Sequence, residues 1–211
     1  MRMRKKTWAP EMIASRDDCV IFNPEELKGN WSHFNYEKIV LEIGSGKGDY
    51  WINMAHKYPD ELWIGVEKEI SCAGIALKKS IDRTTNNMKF IVNDATNVSL
   101  WFSENEVDRI HLNFSDPWPK KHHSKRRLTY GKFLDQYRSI LKKDGLIIQK
   151  TDNLELFEFS CQSFLENGWQ LMEKDLDFRN KVHEEDAITE YEKNFIDKGQ
   201  PIYRAVWKVN K

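Results

Sequence analysis

The sequence predicts an α/β fold: a mostly parallel sheet with helices on both faces and an antiparallel pair of strands at one edge. Three observations carry this. From Lys38 onward, short apolar runs bounded by turn residues alternate with segments of helical spacing. The last two strand-like runs, 169–175 and 202–209, lack that rhythm and suit an antiparallel edge pair. The residues able to do chemistry fall just after the strands, where such a sheet binds ligands.

The elements follow in order. Residues 1–36 read as an irregular extension, broken by Pro10, Pro24 and Gly29, ahead of a single domain over 37–211. Apolar runs at 39–43, 62–66, 89–92, 109–114 and 146–150 read as buried strands. Trp51, Met54, Ala55 and Tyr58 fit one helix face, and Ile70, Ala73, Leu77 and Ile81 a second. Phe133, Leu134, Tyr137, Ile140 and Leu141 fit a third, ended by Lys142, Lys143 and Gly145. Leu154, Phe157, Cys161 and Phe164 fit a fourth. The final strand alternates Ile202, Arg204, Val206 and Lys208.

Composition narrows the function classes. Basic and acidic residues balance at 33 each, but unevenly. Arg2, Arg4, Lys5 and Lys6 crowd one end; Lys120, Lys121, Lys125, Arg126 and Arg127 form a second basic block. The stretch 173–192 is acidic on balance. Local patches, not the mean, decide polyanion binding. No run approaches the ~20 apolar residues of a membrane span, and MRMRKK is followed by no apolar h-region, so the cytoplasm is the default. Cys19, Cys72 and Cys161 lie far apart without a C-x-x-C, which argues against a zinc site; no metal is expected.

Four of the five strand tips carry a carboxylate: Glu67, Asp94, Asp116 and Asp152. The first carries Gly44, Gly46 and Gly48, which allow a tight turn and a ligand close to the backbone. A dinucleotide fingerprint would place a third glycine where Asp49 stands, and Glu42 and Asp49 would repel a pyrophosphate. S-adenosylmethionine carries a sulfonium and an ammonium, both helped by nearby carboxylates. Glu67 suits ribose hydroxyls, and Asp94 suits an adenine amino group or, alternatively, a helix N-cap.

The motifs VLEIGSGKGDY, GVEKE, NDA, FSDPWPKKHHSKRR, TDN and TEYE occur in the order seen in bacterial tRNA (guanine-N7-)-methyltransferases, and the chain resembles that family over nearly its whole length. The glycine loop alone indicates only a class I methyltransferase; the D-P-W-P-K-x-x-H-x-K-R-R stretch is far more specific. The resemblance implies a Rossmann-like, seven-stranded class I methyltransferase fold, S-adenosylmethionine as donor, and a guanine of the tRNA variable loop as acceptor. It implies that Glu42, Glu67, Asp94 and Asp116 line the cofactor side and that Lys120, Asp152, Thr189, Glu190, Tyr191 and Glu192 face the substrate. Such relatives occur as dimers and monomers, and a homodimer is the expectation.

Guanine N7 has an in-plane lone pair and no proton, so the acceptor needs no general base. Asp116 is therefore expected to hold the base, with Pro117 biasing its backbone to an extended form and Pro119 doing the same for Trp118. A simple Asx-Pro turn is the structural alternative. Asp152 with Glu155, and Thr189 with Glu192, also read as capping boxes. His122, His123, Ser124, Lys125, Arg126 and Arg127 are expected to meet the RNA backbone, with the histidines as phosphate contacts or spectators. Arg2, Arg4, Lys5 and Lys6 could add to that grip. Rival readings are an exocyclic-amine methyltransferase, whose Pro-Pro-aromatic order differs from the Pro-Trp-Pro present, a non-catalytic RNA-binding module, and an NAD enzyme.

Overall fold

The computed structural model describes residues 4–211; Arg2 lies outside them. Seven strands form one sheet in the order β3-β2-β1-β4-β5-β7-β6. They are β1 (Lys38–Ile43), β2 (Glu61–Val66), β3 (Met88–Ile91), β4 (Val107–Asn113), β5 (Leu141–Thr151), β6 (Gln170–Asp175) and β7 (Tyr203–Lys208). The first five run parallel, and β7 pairs antiparallel with both β5 and β6. The strand order reverses between β1 and β4, and that switch point opens the crevice in which such sheets bind ligands.

Both faces of the central strands are buried, which is why their sequences read as continuous apolar runs. On one face, Leu41, Ile64, Ile110 and Ile147 pack under α4 (Gly131–Ile140) and α5 (Leu154–Glu166). On the other, Val40 and Trp63 pack under α2 (Asp49–Lys57) and α3 (Ile70–Ser80). Over β4 and β5 that second face carries His111, Asn113 and Lys150, all buried, in place of aliphatic side chains. The segment between β6 and β7, including α6 (Glu190–Ile196), covers Lys150 and, through Tyr50, His111.

Several expectations change. The stretch expected to be irregular contains α1 (Ala9–Ala14), and Val20 bridges to Phe90 beside β3. Ile70, which opens α3, and Ile81, just past its end, are exposed, not core. Ala73 and Leu77 are buried as expected, and Gly74 and Ala76 join them, because α1 and the glycine loop approach too closely there for larger side chains. A Cβ on Gly74 would lie 2.5 Å from that of Ala9, and one on Gly48 would lie 2.7 Å from that of Ala76. Leu154 is likewise exposed. Leu141 to Gly145, expected to finish a helix, open β5, since Leu141 pairs with Val107 across a register shift.

Candidate active site

The glycine loop follows β1 directly. Gly44, Gly46 and Gly48 have φ of 82°, 54° and 79°, left-handed values that L side chains rarely adopt. The amides of Gly44 and Ser45 donate to the Val66 carbonyl at 2.8 and 3.0 Å, locking the loop to the tip of β2. The Gly46 amide donates to Glu67 Oε2 at 3.0 Å, and the Glu69 amide to Oε1 at 2.8 Å. Glu67 is thereby fixed at the loop's rim with acceptor capacity left for a diol.

Glu42 lies beneath the loop and is buried. Asn113 Nδ2 donates to its Oε1 at 3.0 Å, while Glu42 Oε2 and Asn113 Oδ1 have no protein partner. Burial pushes the Glu42 carboxyl up to about 7, against the pull of Asn113 and the Lys150 charge. Two orphaned acceptors at a switch point suit a cationic donor such as an ammonium and would repel a pyrophosphate. Asp94 follows β3, half exposed; it accepts from Thr96 N at 2.9 Å and from Lys68 at 3.2 Å, so the capping alternative is realised at this position. These residues fit an adenosyl sulfonium ligand: acids surround a backbone cradle, and an orphaned carboxylate oxygen lies beneath it.

Asp116 follows β4, exposed at the switch point. The turn around it departs from the expectation for X-Pro. Phe114 and Trp118 have φ of 50° and 43°, so Trp118 is left-handed in spite of Pro119. Such strained positions persist where surroundings over-determine them. Here Arg127 Nε donates to the Pro117 carbonyl at 2.8 Å, its Nη2 donates to the Trp118 carbonyl at 3.3 Å, and it pairs with Glu155 at 3.0 Å. Arg126 lies 4.9 Å over the Trp118 ring, with His123 edge-on at 5.6 Å.

Arg127 must therefore be separated from the RNA-facing set. It is 5% exposed and spent on the loop's own carbonyls. Lys120, Lys121, His122, Lys125 and Arg126 remain exposed along a short 3-10 turn (Lys121–Arg126), with His123 and Ser124 half-buried. A single-residue reading of "KRR" carries no signal that its last arginine turns inward.

The other two substrate-side segments also divide. Asn153, not Asp152, caps α5, accepting from Leu156 N at 2.8 Å. Asp152 is left half-buried at the tip of β5, its carboxyl raised by burial. Thr189 and Glu192 do form the capping box of α6. Glu192 is 0% exposed and faces inward, accepting from Arg179 Nε at 2.6 Å and Lys150 Nζ at 3.3 Å, so it offers a nucleotide no direct contact. Glu190 and Tyr191 stay exposed. The Tyr191 ring lies 5.2 Å from Phe114, and its hydroxyl is raised by burial and by the charges of Asp152 and Asp116. The fold thus brings Asp116, Asp152 and Tyr191 near one another at the tips of β4 and β5. Among the described residues no cluster of His, Cys, Asp and Glu suits a metal, and no helix is long and apolar enough to cross a membrane.

A family model described as "Putative methyltransferase" matches residues 36–205. The chain is 45% identical to the tRNA (guanine-N(7)-)-methyltransferase of Oceanobacillus iheyensis over 97% of both chains. It is also 45% identical to the enzyme of that name from Bacillus subtilis, again over 97% of both. The solved structure of the 16S rRNA methyltransferase KamB superposes with a TM-score of 0.65 over 87% of this chain and 94% of that one, at 14% identity, and shares the fold. With near-complete coverage at that identity, and the glycine loop, strand-tip acids and D-P-W-P turn in place, the chain belongs to the tRNA (guanine-N7-)-methyltransferase family.

Proposed function

We propose that the protein methylates N7 of a guanine in the variable loop of tRNA, with S-adenosylmethionine as donor. The observation that carries the reading is the exposed Asp116 at the β1/β4 switch point, near Asp152 and Tyr191 and flanked by an exposed basic turn. S-adenosylmethionine supplies an electrophilic methyl group, whose bond to sulfur breaks as the bond to N7 forms, leaving the positive charge on the purine.

The chain's own task is placement. Glu42, Glu67 and Asp94 hold the donor, with the Glu42 carboxylate taking its ammonium. Asp116 accepts from guanine N1–H and the 2-amino group, which turns the N7 edge toward the donor. Its charge also sits near the cation formed on the ring, but only the difference between ground and transition state accelerates the step. Orientation therefore supplies most of the rate, and well-oriented reactions reach effective molarities of ~10⁵ M or more. Lys120, Asp152, Thr189, Glu190 and Tyr191 frame the base. Lys121, Lys125 and Arg126 neutralise flanking phosphates, and the target guanine leaves its stack at a typical cost of a few kcal/mol.

The test is transfer of labelled methyl from donor to unmodified tRNA by the wild type and by Asp116→Ala. The wild type should label tRNA. The variant should lose about 10²-fold or more in turnover, as misplaced reactants do, with donor affinity largely kept. No label on tRNA would overturn the function, and near-normal turnover by the variant would remove Asp116 from the centre.

A further inference from the structure

Four side chains, two basic and two acidic, meet in the interior beneath the segment that bears α6. Lys150 Nζ donates to Asp186 Oδ2 at 2.5 Å and to Glu192 Oε2 at 3.3 Å. Arg179 donates to the same two carboxylates, to Glu192 at 2.6 Å and to Asp186. None of the four side chains is more than 8% exposed. Tyr50 OH donates to Asp186 Oδ1 at 2.6 Å and lies 3.0 Å from His111 Nδ1. The tyrosine proton is committed to the carboxylate, so His111 donates from Nδ1. Burial pushes that imidazole down to about 3, so it is neutral.

Every member but Arg179 and Asp186 sits one or two residues from a residue of the site. Tyr50 is two beyond Gly48 and lies in the first turn of α2. His111 is two before Asn113, the partner of Glu42. Lys150 is two before Asp152. Glu192 follows Tyr191 and closes the capping box that orders Thr189. The cluster therefore joins the glycine loop, β4, β5 and the segment bearing α6 at one point. Burying two cation–anion pairs is no efficient way to hold a segment down, since apolar side chains of the same volume do it as well or better. What a fully paired ionic cluster adds is a single geometry.

We propose that Tyr50, Lys150, Arg179 and Asp186 are positioning residues that hold Thr189, Glu190 and Tyr191 in register with Asp116 and Asp152 for the guanine. This rests on the reading of that segment as substrate-side. None of the four touches the reacting atoms. They act through α6 and the strand tips, and they leave the donor's contacts at Glu67 and Asp94 alone.

The experiment measures KM for unmodified tRNA, kcat, and S-adenosylmethionine affinity for Asp186→Asn, Tyr50→Phe and Tyr191→Ala. Asp186→Asn keeps the side chain's shape. It should raise KM for tRNA about tenfold or more while donor affinity stays within about twofold. Tyr50→Phe removes one hydroxyl and should shift KM the same way by a smaller factor; it carries the test if Asp186→Asn does not fold. The double variant should be no worse than Asp186→Asn alone, because both act on one contact. Unchanged KM for tRNA, or equal weakening of donor and tRNA, would reduce the cluster to scaffolding and overturn the proposal. Tyr191→Ala separates the failures. If it raises KM while the cluster variants do not, only the positioning role falls; if it leaves KM unchanged, the substrate-side reading falls with it.

Discussion

Glu42 shows how burial sets a residue's behaviour. Its carboxyl is raised by burial to about 7, above the ordinary carboxylate range, so the ligand-free native state keeps a proton that the unfolded chain releases. Stability from this group is full below the unfolded value and is lost as pH rises through about 7. Donor binding runs the other way, because an ammonium pairs with the ionised form. Affinity for S-adenosylmethionine should therefore strengthen between about pH 5.5 and 7, approaching tenfold per pH unit at the acid end, with a proton released on binding. Calorimetry across that range in buffers of different ionisation enthalpy reads both effects, and Glu42→Gln should remove the proton release. An unchanged affinity over that range would show that Glu42 does not pair with the donor's cation. At this scale the sequence named Glu42, Glu67, Asp94 and Asp116, the last three from their places at strand tips. It did not name Asn113, His111 or Lys150, although polar residues within otherwise apolar buried strands were a readable signal.

The element proposed to meet phosphates is the basic turn. Lys121, Lys125 and Arg126 point outward, whereas Arg127 is spent on the carbonyls of Pro117 and Trp118. Replacing Lys125 and Arg126 together with Ala should weaken tRNA binding and lower the magnitude of the slope of log K against log salt, by roughly 0.7–0.9 for each phosphate no longer neutralised. Arg127→Met should behave differently. It releases the strained turn beside Asp116, so turnover should fall while the salt slope stays put. An unchanged slope in the double variant, or a slope change matching it in Arg127→Met, would contradict this division. Charge patterning in sequence locates such a turn but does not say which cation folds back, because that depends on carbonyls whose strained geometry the prolines concealed. The helix starts followed the same logic. The capping box of α6 was legible as Thr189 and Glu192, while α5 took its cap from Asn153, one residue later than the Asp152 pattern suggested.

For the whole molecule, alternation and turn residues were enough to predict a mostly parallel sheet and the antiparallel end; the strand order came from the structure. The chief misses were α1 and the contacts of Gly74 and Ala76 in α3, where close backbone approach, not apolar bulk, decides what is buried. The segment between β6 and β7 was also opaque. Its role comes from tertiary pairing with Lys150 and Tyr50, far away in the chain. The proposed donor cradle, strand-tip acids and basic turn all follow strands of one sheet, and the account built on them stands or falls on where the methyl group goes. The direct measurement is to label unmodified tRNA with the protein and methyl-labelled S-adenosylmethionine, then cleave with aniline, which is selective for N7-methylguanine. The account predicts cleavage at a single variable-loop guanine carrying the label; label on an exocyclic amine, or at no guanine, would contradict it.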